Sequence, residues 1–250
     1  MQRQYGRNKS PVDERDYKLS SFIPKDYDES LIKEKKWRFY GKPLDQKETG
    51  HCCGFSMANF GINEPINSKY VNEDGHKFYY LCKVKDGEPG AENGSDIRTV
   101  AKVLVDLGVI KTYAFAQTLD EVRYWLLNKG CMIVGTDWYE GMSSPDGDNI
   151  IHMTGQKLGG HAYVLSEVKI IGGEEYFGIQ NSWNGYWGIN GKAYILAKDF
   201  EKLLTRWGGE ALAAVEIPHV IDVPKADPNA KFNLIAFLIA LWGRILGKNN

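Results

Sequence analysis

Three stretches of the chain carry apolar residues at helical spacing, and the half that follows carries them in short, strand-length runs. From Cys52, the run Gly54-Phe55-Ser56-Met57-Ala58-Asn59-Phe60 predicts a helix. Val100, Ala101, Val103, Leu104, Val105 and Leu107 predict a second, stopped by Gly108, since a residue without Cβ readily takes the left-handed conformation that ends helices. Leu119 to Asn128 predicts a third, with Thr118 as N-cap and Glu121 three positions on completing a capping-box pattern. Beyond it, residues 131–136, 162–168, 176–179 and 192–196 are β-branched and aromatic runs separated by glycines, and these predict strands. A helix-rich lobe beside a sheet-rich lobe leaves a cleft in which an extended chain can lie.

The two ends do not follow this pattern. Residues 1–45 are charged, aromatic and turn-rich, as in Asp13-Glu14-Arg15-Asp16-Tyr17, with too little apolar periodicity for a domain of their own; they are expected to wrap the remainder. At the other end, residues 223–231 form a proline-containing linker to a segment, 232–250, that is apolar nearly all round from 232 to 246 and flanked by Lys231 and Lys248. Its fifteen apolar-run residues would rise about 22 Å as a helix, short of the roughly 30 Å membrane core, which disfavours a simple span. Its burial is expected against its own domain, a partner chain or a membrane surface, with Ala236, Ala240 and Gly243 suited to close helix packing. Between the ends lies one domain, 46–222.

Composition narrows the class. The chain has 250 residues, 43% hydrophobic and 25% charged, which is ample for a core, and a formal net charge of −1 provides no general attraction to nucleic acid. Two of its four cysteines, Cys52 and Cys53, are adjacent, and Cys82 and Cys131 fit no CxxC metal spacing, so reduced thiols are expected and neither a metal nor a cofactor is. His51 offers a third candidate metal ligand beside the cysteine pair, but consecutive side chains diverge on a helix. Histidines 76, 152 and 219 lack a supporting pattern and read as surface or loop residues. The first thirty residues lack the apolar core of a secretory signal, so the expected setting is a reducing compartment such as the cytoplasm, or a larger assembled particle.

Four residues then stand out for their chemistry. Gln46, Cys52, His161 and Asn181 occur in that order, and together supply an oxyanion donor, a nucleophile, a base and a group that orients the base. The segment 46–56 resembles the nucleophile segment of the papain family, Gln-Gly-Ser-Cys-Gly-Ser-Cys-Trp-Ala-Phe-Ser, with Gln46, Gly50, Cys52, Phe55 and Ser56 in register, so that Cys52 rather than Cys53 is the matched nucleophile. Gly160-His161-Ala162 is similar to the family's Gly-His-Ala, and residues 181–191 resemble its Asn-Ser-Trp-Gly-x-x-Trp-Gly-x-x-Gly run. Glu92-Asn93-Gly94-Ser95 resembles its Cys-Asn-Gly-Gly segment more weakly. The resemblance spans 46–196. It implies an α+β, papain-like two-lobed fold, a helical lobe and an antiparallel β lobe, with the site between them. It further implies that Trp183 roofs the His161–Asn181 pair and that Gly94 and Ser95 pair with substrate backbone.

Three departures matter. The positions of the family's usual disulfide are here Thr49 and Glu92, so both ends are absent together, and Cys53 replaces a tryptophan. His161 follows Cys52 by 109 residues and Asn181 by 129, shorter than the roughly 130–150 typical of papain and its close relatives. The chain therefore reads as a trimmed relative, expected to be a cysteine-type peptidase acting on peptide or protein substrates through a thioester. Two alternatives stay open on sequence: a peptidoglycan peptide hydrolase or amidase, and a structural or delivery component of a larger assembly, for instance a viral particle, that retains the fold. No long N-terminal inhibitory segment is legible, which assigns restraint to residues 1–45, to the tail or to compartment.

Overall fold

The computed structural model describes residues 3–27 and 33–216. The apolar segment 232–246 and its linker lie outside the described residues.

Consecutive residues of a strand face opposite ways, and in the central strands both faces are apolar. The chain opens with β1 (Arg7–Asn8), β2 (Lys35–Lys36), α1 (Cys52–Ile62), α2 (Asn72–Lys85) and β3 (Ser95–Asp96). They are followed by α3 (Ile97–Asp106), β4 (Thr112–Phe115), α4 (Leu119–Asn128), β5 (Met132–Tyr139), β6 (Ile150–Ile151), β7 (Lys157–Ile171), β8 (Glu174–Gln180), β9 (Lys192–Leu196), α5 (Ala197–Thr205) and β10 (Glu210–Glu216). The main sheet runs β4-β10-β5-β7-β8-β9-β6, with β2 on β7, and every pairing in it is antiparallel except β6 with β9. Ile133, Ala162, Val164, Leu212 and Ala214 turn toward one core, shared with α1, α2 and α3. Met132, Val134, Tyr163, Leu165, Ala211 and Ala213 turn toward a second, filled by α4, α5 and the rings of Trp138, Trp183 and Trp187. The sheet thus separates two cores, which is why its central strands read as continuous apolar runs.

The helices follow from their local chemistry. Every residue of α1 is buried, as an all-round apolar helix demands. It crosses α2 closely because both carry glycine at the contact: a Cβ on Gly54 would stand 2.2 Å from the Gly75 carbonyl oxygen. The Asp96 side chain caps α3 by accepting from Thr99 N–H at 2.9 Å, and Gly108, at φ +69°, follows its end. Thr118 caps α4, accepting from Glu121 N–H at 3.2 Å, while the Glu121 carboxylate reaches back to Gln117 N–H rather than to the cap residue itself.

The division between helical and sheet halves begins earlier than the apolar pattern suggested. Strand β4 already belongs to the sheet, and α4 packs in the second core with α5 rather than beside α1. The N-terminal residues touch the body at successive points: Lys18 bridges Phe115, Phe39 bridges Asn63, Asp45 bridges Trp183, and Arg98 grips the Asp16 carboxylate through Nε at 2.8 Å.

Candidate active site

The first turn of α1 carries Cys52. Its N–H groups have no intrahelical acceptors and its end of the helix dipole is positive, so a negative charge there is favoured. Cys52 is fully buried. Burial by itself raises its pKa. Hydrogen bonds involving Cys53 and His161, the charge of His161 and the Ala162 N–H outweigh it and hold the thiol well below its ordinary range. Burial and the neighbouring Cys52 push Cys53 the other way, so within this adjacent pair Cys52 is the thiolate. The single Cys53 S–H also has an alternative acceptor in the Ser95 carbonyl, 3.2 Å away.

His161 lies near the start of β7, paired across to Thr136 of β5, and its Nε2 is 2.8 Å from Asn181 Oδ1. That oxygen also accepts the Ser182 N–H at 2.8 Å, which identifies it as the amide oxygen; His161 Nε2 must therefore donate. In the neutral imidazole the bare nitrogen is then Nδ1. Nδ1 is buried without a hydrogen-bond partner among the described residues, on a ring whose charge acts on the Cys52 thiol. The tautomer a base toward Cys52 requires is thus imposed by a backbone N–H two steps away.

Two tryptophans close the histidine in. The Trp183 ring centroid is 4.9 Å from His161 at 37°, and Trp138 is 4.8 Å away at 74°. Trp183 was expected from the motif. Trp138 was not, because β5 runs to Tyr139, past the predicted strand 131–136, and carries Trp138 against the imidazole from outside that run. Asn59 was also missed: its Nδ2 donates to the Asn181 carbonyl at 3.3 Å, joining the helix of the cysteine to the loop of the asparagine.

Gln46 is buried with its amide fixed at both ends. Its Oε1 accepts from Ser182 Oγ at 2.7 Å, and its Nε2 donates to the Thr49 carbonyl at 2.7 Å and to the Gln4 carbonyl at 3.3 Å. One N–H therefore points at a peptide carbonyl that comes from the N-terminal segment. Gly94, at φ +81°, is engaged from behind: its N–H donates to Tyr79 Oη and its carbonyl accepts from the buried Lys83 ammonium at 2.9 Å. Ser95 and Asp96 pair in parallel with the chain's own Arg7 and Asn8, and Ser95 N–H donates to the Gly6 carbonyl at 2.9 Å.

Glu92, at one of the two positions where the family's disulfide is missing, meets His51 Nε2 at 2.5 Å. His51 Nδ1 lies 2.8 Å from His76 Nδ1, so His76 is a partly buried residue of α2 bonded beside the nucleophile, not an isolated surface histidine. The Glu92–His51 hydrogen bond and the Lys83 contacts with Asp86 and Glu88 tie down the 86–94 loop without a covalent link. All four cysteines are free.

No protein-family model matches the chain, and no curated protein sequence matches it significantly. Solved structures do. Xylellain, a cysteine protease from Xylella fastidiosa, superposes with a TM-score of 0.68 at 15% identity, over 87% of this chain and 96% of its own. Procathepsin B S9 from Trypanosoma congolense gives 0.62 at 12% identity, over 86% and 87%. Procathepsin L 3 from the larval midgut of Tenebrio molitor gives 0.57 at 13% identity, over 80% and 73%. With helices and an antiparallel sheet meeting at the cleft just described, the chain has a divergent papain-like α+β fold.

Proposed function

We propose that the protein is a cysteine peptidase that hydrolyses peptide bonds through Cys52, His161 and Asn181 by way of a thioester. The observation that carries this reading is the fixed tautomer of His161: Nε2 is committed to Asn181, which leaves Nδ1 for the thiol at the positive end of α1. The Cys52 thiolate attacks the carbonyl carbon and the carbonyl π electrons move onto oxygen. The protonated His161 then gives its Nδ1 proton to the leaving amine as the C–N bond breaks. Water, deprotonated by the same nitrogen, attacks the thioester; the C–S bond breaks, the carboxylic acid product leaves, and the Cys52 thiolate and protonated His161 are restored. The Gln46 amide and the Cys52 N–H are the proposed donors to the transient oxyanion, each worth about 3 kcal/mol in the best-characterised case. Trp138 and Trp183 exclude water from the imidazole–amide pair, which strengthens it.

Labelling of the native chain with a peptidyl vinyl sulfone, mapped by mass spectrometry, tests the reading. Modification at Cys52 is expected, lost in Cys52→Ala and after unfolding. Modification confined to other cysteines, or none by this reagent and none by the smaller iodoacetamide, would remove the proposal.

A further inference from the structure

The residue just before the nucleophile is an imidazole held on every side. His51, 2% exposed, lies where α1 begins, and its carbonyl accepts from Phe55 N–H at 3.1 Å, the bond that opens the helix. Its ring stacks on Tyr79 of α2, with centroids 3.8 Å apart and planes at 11°. The Tyr79 hydroxyl in turn donates to the Ala91 carbonyl at 2.9 Å and accepts from Gly94 N–H at 3.1 Å. Both nitrogens of His51 are taken, Nε2 by Glu92 at 2.5 Å and Nδ1 by His76 Nδ1 at 2.8 Å. The start of α1, the middle of α2 and the 86–94 loop therefore meet on one side chain. Glu92 stands at one position of the absent disulfide, and His51 lies two residues beyond the other, Thr49.

The arrangement counts protons. Burial acts to raise the Glu92 carboxyl, but the hydrogen bond and charge of His51, with the Tyr80 hydroxyl, outweigh it and hold it below its ordinary range. A carboxylate only accepts, so His51 Nε2 donates to it. Two facing Nδ1 atoms at bonding distance have one hydrogen between them: either His76 donates to a neutral His51, or a charged His51 donates to His76. The bond survives one positive charge on the pair and fails with two, because two N–H groups would then point at each other. Burial and then the neighbouring His51 lower the His76 pKa; Glu73 of α2 and Glu92 of the loop act to raise it, and Lys47, ahead of α1, to lower it. Towards His76, α1 presents the uncharged Phe55 ring, edge-on at 4.9 Å. A histidine whose pKa is lowered in the closed state stabilises that state above its ordinary value, about 6.5, and the stabilisation is lost as pH falls. We propose that Glu92, His51 and His76 form an acid-releasable clasp between the 86–94 loop and the start of α1, closed while the imidazoles share one hydrogen and released when each holds its own. Release loosens the Gly94–Ser95 edge and the first turn of α1 together. No step of peptide hydrolysis enters, so the clasp stands or falls apart from the peptidase reading.

Hydrogen–deuterium exchange of the full chain, read by mass spectrometry at pH 7 and pH 5 and corrected for intrinsic rates, tests the clasp. Peptides covering 86–94 and the first turn of α1 are expected to exchange about 10-fold faster at pH 5, the scale of one lost hydrogen bond, while α4 and α5 keep their protection. His76→Asn retains an amide N–H for His51 Nδ1 but takes up no proton in this range, so its exchange is expected to be equal at the two pH values. Equal protection of the native chain at both, or loosening that persists in His76→Asn, overturns the proposal. Should His76→Asn not fold, the native chain labelled with ¹⁵N carries the test. The Nδ1 nuclei of His51 and His76 are expected to be scalar-coupled across the shared hydrogen at pH 7, and their shifts to titrate where loop exchange rises. No coupling at pH 7, or exchange that rises with these shifts unchanged, overturns the proposal.

Discussion

Cys52 and the pair Cys82 and Cys131 are buried to nearly the same degree, yet they are driven in opposite directions. Cys82, on α2 with its sulfur 3.7 Å from the Met57 sulfur, and Cys131, at the edge of β5, are both pushed upward by burial and behave as small apolar side chains. Cys52 suffers the same burial, but it sits at the start of a helix and faces an imidazole, and its pKa falls. Desolvation always disfavours the charged thiolate, so only specific partners can reverse the sign. Cys53 sharpens the contrast. One position along the same helix it faces the Ser95 carbonyl instead of His161, and it is raised.

The largest test of this contrast removes the imidazole. His161→Ala should lower turnover by about 10²- to 10⁴-fold and make Cys52 resemble Cys82 in its rate of alkylation, read by competitive labelling and mass spectrometry. If Cys52 stays as reactive at neutral pH, the helix terminus alone controls the thiol.

Gln46→Ala should come next, with kcat reduced by about 10²- to 10³-fold and KM little changed, because in the proposed mechanism the amide serves the oxyanion and not the resting thiol. Steady-state kinetics on a fluorogenic peptide would decide it. Cys52 alkylation by iodoacetamide should be far less affected in the same variant, which separates the two roles.

The pH dependence follows with its sign set by the lowered pKa. Thiolate persists above the folded pKa and is lost as pH falls through it. An ordinary thiol therefore loses roughly 80-fold in alkylation rate between pH 8 and pH 6, whereas Cys52 should lose at most a few-fold. A stopped-flow pH–rate profile that tracks a free cysteine would contradict the assignment of Cys52 as the thiolate.

The smallest effect is expected from Cys53→Ala. Its one S–H is divided between Cys52 and the Ser95 carbonyl, so its loss should cost only about 0.5–1 kcal/mol, seen as a few-fold slower labelling of Cys52 at low pH. A loss as complete as that of Cys52→Ala would exchange the roles of the two residues.

Much of this contrast was written in local sequence. The spacing of Gln46 to Cys52, the Gly160-His161-Ala162 triplet and Asn181-Ser182-Trp183 each carry their role in their immediate neighbours, and the structure brings His161, Asn181, Trp183 and the Cys52 thiol together. The caps at Thr118 and the stop at Gly108 were legible for the same reason, since a helix end is decided within four residues. Helix α2 was not. Its run from Asn72 to Lys85 mixes charges with Gly75 and hides Lys83, whose burial depends on Asp86, Glu88 and the Gly94 carbonyl around it. Helix α5 and strand β10 were passed over as well, because a short amphipathic turn after β9 and an alanine-rich strand declare themselves only against a partner surface.

The sequence by itself determined which residue types could do thiol chemistry and where the helix ends and strands that carry them begin, because motif, cap and alternation are short-range properties of the chain. Only the tertiary structure decided what each of those groups faces. It set the tautomer of His161 through Ser182, placed Trp138 against the imidazole, and joined Arg7 to Glu210 across most of the chain. Such pairings depend on how the sheet divides its two cores and on which segment lies in the groove between them. The interactions that fix both are long-range, and no window of neighbouring residues contains them.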